Sequence, residues 1–219
     1  MATIADNLQE VKARLAAARG VTLLAVSKGQ PVESIREAMA AGQKAFGENY
    51  VQEAIGKMDA LPPGPEWHLI GPLQSNKTRV VAERFDWVQT VATEKIARRL
   101  SEQRPASLAP LNVLIQVNAS AEATKSGVAP AAAAALARSI APFKGIRLRG
   151  LMAIPEPGAD RSRYAEVRRI FEQLKGDFAF DTLSMGMSDD MDVAIAEGST
   201  MVRIGTAIFG ARKAHRSAA

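Results

Sequence analysis

Apolar positions along the 219-residue chain switch between two periods. Leu8, Val11 and Leu15 recur at helical spacing and predict an opening helix over roughly 5–19. VTLLAVSK (21–28) is then a near-continuous apolar run, the pattern of a strand buried on both faces. Pro31 stands near the start of the next helix, where its missing N–H costs nothing, and that helix runs to Ala41 and stops at Gly42. QKAFGEN (43–49) predicts a short strand and turn, followed by a helix to about Asp59. The alternation then repeats, with strands at 67–71, 85–91, 111–118, 146–154, 181–186 and 200–205. Helices fall between them at 76–84, 93–103, 130–141, 160–175 and 189–196.

Strands separated by helices, with no change of pattern along the chain, predict a parallel α/β arrangement whose crossover helices cover the strands. Eight strand candidates favour closure into a TIM-type (β/α)8 barrel with an additional N-terminal helix. A doubly wound open sheet would give a similar linear pattern. Residues 1–219 are expected to form a single domain, because LPPGPE (61–66) and RPASLAP (104–110) lack the polar length of a domain linker. Both links precede strands, which places them at the bottom of a barrel, away from chemistry.

Composition narrows the chemistry. The absence of cysteine excludes disulfides, thiolate metal sites and thiol nucleophiles, and two histidines, His68 and His215, are too few for a histidine-rich metal centre. MATIADNLQEVKARL does not have the form of a signal peptide, and no apolar run is long enough to span a bilayer. A cytoplasmic protein that does not engage membranes is expected. The net charge of +5 comes from 28 basic residues scattered among 23 acids. With two Trp and two Tyr for stacking, nucleic-acid binding is not expected, and ARKAHR (211–216) reads as a solvated chain end.

Chemistry in such folds gathers where strands end and helices begin. Those ends offer Ser27 and Lys28, then Glu48 and Asn49, then His68 with Gln74, Ser75, Asn76 and Lys77. Further along come Asn118, Lys125 and Ser126, LSMGMSDD (183–190) and RIGT (203–206). Lys28 follows the apolar LLAVS, and two readings stand: a lysine that snorkels to solvent, or a partly desolvated amine able to attack a carbonyl. SMGMSDDM offers Gly186 for close backbone approach and Ser188 as a helix cap, while RIGTAIFG offers Gly205 and Thr206. Loops after strands 7 and 8 often hold phosphate, although Gly and Ser are also ordinary turn residues. Asp189 and Asp190 oppose a phosphate unless their side chains turn away. Arg203 lies inside an apolar strand, either paired with a neighbouring carboxylate, set on the helix-facing side, or aimed into the mouth. A lysine amine, a phosphate cradle and a ring-directed arginine together describe what pyridoxal 5′-phosphate (PLP) needs.

The strings AVSK (25–28), AFGENYVQE (45–53), WHLIGPLQSNK (67–77), LNVLIQVN (111–118), KSG (125–127), LRGLMAIP (148–155), LSMGMSDDM (183–191) and STMVRIGTAIFGAR (199–212) cover the chain end to end. In these the chain resembles the YggS/PROSC-type PLP homeostasis proteins, which resemble the barrel domain of fold-type III alanine racemase. The resemblance implies PLP held as a Schiff base on Lys28 and phosphate contacts from Ser188, Gly205 and Thr206. It directs Arg203 at the pyridine nitrogen, sets Asn49 on the pocket wall and packs Met185 near the cofactor. Ser184 and Ile204 are structural or secondary contacts in this reading. His68 matches by position, yet a histidine hydrogen-bonded within the barrel fits equally well. Gly29 departs from the family, which often has Thr there.

The resemblance implies storage, delivery or protection of PLP, with little turnover and with transient contact to PLP-dependent apoenzymes. A guanidinium cannot accept a proton, so Arg203 favours an unprotonated ring and weakens its electron sink. Alanine racemases add a second domain and a partner-subunit tyrosine. Here the tyrosines are Tyr50, next to Asn49, and Tyr164, on a helix remote in the pattern. A racemase of modest rate is the alternative, and a phosphate-binding barrel without PLP a third reading. No exposed apolar stripe separates from the barrel-facing helices, which leaves the oligomeric state open; a monomer or weak dimer is the expectation.

Overall fold

The computed structural model describes residues 2–18, 20–120 and 126–211. Lys125 and the basic tail from Arg212 through His215 lie outside the described residues. Eight parallel strands close into a barrel in chain order. They are β1 (Thr22–Val26), β2 (Ala45–Glu48), β3 (Glu66–Leu69), β4 (Trp87–Val91), β5 (Leu111–Val117), β6 (Ile146–Ala153), β7 (Thr182–Ser184) and β8 (Met201–Ile204). Closure is made by β1, which pairs with β2 through Ala25 and Phe46 and with β8 through Leu24 and Arg203. The barrel therefore replaces the open-sheet alternative.

Helices α1 (Ile4–Ala16), α2 (Val32–Ala40), α3 (Val51–Ala60), α4 (Thr78–Arg84), α5 (Glu94–Gln103), α6 (Ala133–Ile140), α7 (Arg161–Phe178), α8 (Met191–Ala196) and α9 (Thr206–Phe209) follow the expected alternation. A capping box between Thr3 and Asp6 starts α1, whose Leu8, Val11 and Leu15 are buried as their spacing requires. Asn7 Nδ2 donates to the Ile208 carbonyl at 3.0 Å, tying α1 to α9.

Alternation along each strand divides the side chains between two cores. The helix-facing core includes Phe46, Val88, Ile115, Leu183, Met185 and Ile204. The barrel interior holds Leu24, Ala45, Ile70 and Met201 in one apolar group and Trp87, Leu114 and Met152 in another. Between them lie buried polar residues, His68, Gln89, Ser184 and Arg203. A register shift between β5 and β6 separates Leu148 from Gly150. Gly150 adopts φ 151°, and a Cβ there would sit 1.9 Å from the Thr182 carbonyl oxygen, so only glycine fits. The adjacent Arg149 closes the barrel floor, with its Nε 2.8 Å from Asp181 and its guanidinium 4.8 Å from the Trp87 ring centroid.

Strand ends are shorter than the apolar runs suggest. β1 stops at Val26, so Lys28 stands in a turn closed by the Gln30 amide on the Ser27 carbonyl at 3.0 Å. Gly29 takes φ 69° there, a conformation that a β-branched threonine would enter only with strain.

Candidate functional site

A cavity of about 370 Å³ opens at the carboxyl end of the strands, and Lys28, Asn49, Ser188, Arg203, Gly205 and Thr206 all line it. Val26, Ile70, Ile154 and Met187 supply its apolar wall. This size and mixture suit a small ligand with an apolar body and polar ends. Met185 is not among the lining residues: it is fully buried in the helix-facing core. The reason is the pleat. Ser184 points inward to Arg203, so its neighbour must point out. Met187, two residues on, takes the place at the wall that was expected of Met185.

Arg203 faces inward and is 3% exposed. Its Nη1 donates to the Ser184 carbonyl at 2.9 Å and to Ser184 Oγ at 2.8 Å, and its Nη2 donates to the Ala153 carbonyl at 2.9 Å. Among the described residues it has no carboxylate ion-pair partner, so neither the paired nor the helix-facing placement is realised. Burial lowers its pKa to about 10, which still leaves it a cation at neutral pH. Two of its N–H bonds, one on Nε and one on Nη2, have no hydrogen-bond acceptor among the described residues. They can donate but never accept.

Lys28 is flanked on both sides by a buried ionic cluster that the sequence reading passed over. Lys57, 5% exposed, donates from Nζ to the Ser27 carbonyl at 2.7 Å, Glu48 Oε1 at 2.7 Å and Glu53 Oε1 at 2.6 Å. Ser27 Oγ donates to Glu48 Oε1 at 2.6 Å, and the Gly29 amide donates to Glu53 Oε1 at 2.6 Å. The residues before and after Lys28 are thus held by one cluster. Burial raises the Glu48 pKa, opposed by Lys57, and Glu48 Oε2 has no partner. The available signal was Glu53 and Lys57 at i,i+4, with Lys57 on the same helix face as the buried Val51 and Ala54.

The turn after β7 also differs from expectation. Ser188 does not cap α8. Asp190 takes the N-cap position, and its side chain accepts from the Met187 amide at 2.5 Å and from the Tyr164 hydroxyl at 2.5 Å. Both partners hold Asp190 in the turn, from where its charge still favours the cationic form of Arg203. Asp189 does line the cavity, but on its exposed rim, where solvent and salt screen it. Tyr164, expected far from the mouth, reaches it through Asp190. Beyond β8, the amides of Thr206 and Ala207 open α9 ahead of its first intrahelical bonds.

His68 lies deep in the barrel, not at the mouth. It is fully buried and stacked on Trp87 at 5.0 Å, and it hydrogen-bonds Gln89 and Glu66. Of the two positions open to it, the structural one holds.

Fold and cavity together define a class: a (β/α)8 barrel that presents one lysine and one buried arginine across a small-ligand pocket at its mouth. The chain belongs to the alanine racemase N-terminal domain family, whose model it matches over residues 1–213, and within it to the pyridoxal phosphate homeostasis proteins. It is 56% identical to the pyridoxal phosphate homeostasis protein of Pseudomonas aeruginosa, covering 97% of each chain. Identity to the Escherichia coli K12 protein of the same name is 53%, over 97% of this chain and 98% of the other. Among solved structures, PipY of Synechococcus elongatus with PLP bound is 37% identical and superposes at TM-score 0.85, covering 95% of this chain and 100% of that one. Alanine racemase of Corynebacterium glutamicum, 18% identical at TM-score 0.78 over 97% of this chain and 62% of that one, shares the fold.

Proposed function

We propose that this protein binds PLP covalently on Lys28 and serves PLP storage, delivery or protection with little turnover of its own. The observation that carries the reading is the single cavity joining the Lys28 amine to Arg203, Ser188 and Thr206. A further sign of fit is Asn49 Oδ1, a buried oxygen on the cavity-lining residue that lacks any partner. When bound, PLP supplies an aldehyde that condenses with an amine, releasing water, and a pyridine ring that withdraws electrons.

Lys28 provides the amine from a turn fixed by the Lys57 cluster. Ser188, Thr206 and the first amides of α9 would hold the phosphate. Arg203 would donate to the ring nitrogen and, unable to accept a proton, would keep that nitrogen unprotonated. Carbanion formation is harder on an unprotonated ring, and racemization would in addition require an acid and a base on opposite faces of the reacting carbon. This favours binding over catalysis. Hand-over to apoenzymes and a monomeric or weakly dimeric state belong to the same proposal.

Incubation with PLP, borohydride reduction and peptide mass mapping test the assignment. The expected result is one adduct on the Lys28 peptide, absent from Lys28→Ala. An equal adduct in that variant overturns the site. Solvent deuterium exchange at Cα of candidate amino acids tests turnover, and rapid exchange would favour a racemase.

A further inference from the structure

Behind Arg203 a line of buried side chains crosses the barrel to its floor. Ser184 Oγ, which accepts from Arg203 Nη1, donates to Gln89 Oε1 at 2.7 Å. Gln89 Nε2 lies 2.9 Å from His68 Nδ1, and His68 Nε2 lies 2.7 Å from Glu66 Oε1. The links come from β8, β7, β4 and β3, and Ser184, Gln89 and His68 are completely buried. We propose that Ser184, Gln89 and His68 are positioning residues that fix the donor direction of Arg203 toward the cofactor's ring nitrogen, with the polarity set by Glu66. This rests on the reading of PLP in the cavity.

The sense of the chain follows from its ends. Glu66 as a carboxylate accepts only, so His68 must carry its proton on Nε2 and leave Nδ1 as an acceptor. Burial lowers the His68 pKa and the hydrogen bond from His68 lowers that of Glu66, which together favour a neutral imidazole beside a charged carboxylate. Gln89 must then turn its NH2 to His68, where Nε2 also meets Met201 Sδ at 3.2 Å, and its oxygen to Ser184. The hydroxyl hydrogen of Ser184 is thereby committed to Gln89, and its lone pair is left for Arg203. Cutting the chain at Gln89 frees that hydroxyl to rotate its hydrogen against the guanidinium. The stacked, buried His68 ring has no room to compensate.

The test compares equilibrium affinities for PLP and for 1-deaza-PLP, which keeps the aldehyde and phosphate but has carbon at the ring-nitrogen position. Wild-type protein is expected to prefer PLP by about ten-fold, the worth of one hydrogen bond from a charged donor. Gln89→Met, nearly isosteric, and Ser184→Ala are expected to shrink that preference to about three-fold or less. Met152→Leu, an interior change outside the chain, is expected to keep it, because packing alone would weaken both ligands together. Loss of the preference in the cut variants supports the proposal. Retention of the full preference in Gln89→Met overturns it while leaving PLP binding in place, and if that variant does not fold, Ser184→Ala decides by the same criterion. Absence of any preference in the wild type overturns both the placement of Arg203 at the ring nitrogen and the chain behind it.

Discussion

Replacing Lys57 by methionine removes one cation and leaves a fully buried carboxylate, Glu48, with only the Ser27 hydroxyl to offset its charge. Three bonds of 2.6–2.7 Å disappear together. Breaking a buried ion pair from one side costs about 3–5 kcal/mol, because the remaining charge is stranded. With a urea slope near 2 kcal/mol/M, the unfolding midpoint should fall by roughly 2 M. Glu48 offers an internal check. Burial already raises its pKa, and losing Lys57 raises it further, so folding the variant favours a protonated Glu48. A raised carboxyl pKa contributes stability below the unfolded value and loses it as pH rises through the folded value. The variant should therefore be relatively more stable at pH 5 than at pH 8. Glu48→Gln combined with Lys57→Met removes both charges and should recover about half of the loss. The reasoning fails if Lys57→Met unfolds within 1 kcal/mol of wild type, or if the double variant loses the full sum of the two single changes.

His68 sets an acid limit. Its pKa is lowered by burial, so its contribution is present above the unfolded value of 6.5 and is lost as pH falls through the folded value. Stability should decline below pH 6.5 at up to about 1.4 kcal/mol per pH unit, and thermal melts of His68→Gln should show a shallower decline. Nitrogen-15 NMR of the wild type at pH 7.5 should show His68 neutral with its proton on Nε2; a proton on Nδ1 would contradict the donor order through Gln89. Gly150→Ala drives a Cβ to 1.9 Å from a backbone oxygen, and a loss of about 3 kcal/mol is expected in urea unfolding. Tyr164→Phe removes the hydroxyl that holds Asp190. It should cost about 1 kcal/mol and speed amide hydrogen exchange at Met187, which unchanged exchange there would refute.

Sequence periodicity revealed eight alternating strands and helices but not closure, because parallel strands buried on both faces read as unbroken apolar runs in a barrel and in an open sheet alike. It also placed Lys28, Asn49, Ser188, Arg203, Gly205 and Thr206 at the mouth, since strand ends and the turns after them are visible as switches of pattern. The misses share one cause. Whether a residue beyond the last strand position faces in or out depends on where the pleat ends, and β7 is only three residues long, so Met185 and Met187 could not be told apart by period. Tyr164 and Asp190 meet across 26 positions of sequence, a distance over which no local pattern carries information. Lys57 was hidden differently: a lysine among apolar helix positions is usually a snorkelling side chain, and only the barrel shows that it points at Glu48.

The polar groups that periodicity missed bear on why the site binds. Lys28 and Arg203 line one small cavity, and each is supported from behind. The supports are different in kind. Lys28 is steadied through its neighbours, with Lys57 bonded to the Ser27 carbonyl and Glu53 accepting from the Gly29 amide. Arg203 is bonded by carbonyls and a neutral hydroxyl, and Asp190 acts on it through space without a hydrogen bond. A carboxylate in place of Ser184 would have paired with the arginine and competed with a ligand for it. The arrangement instead leaves a fixed donor with no carboxylate bonded to it, which an acceptor atom in the ligand can satisfy and a proton cannot displace.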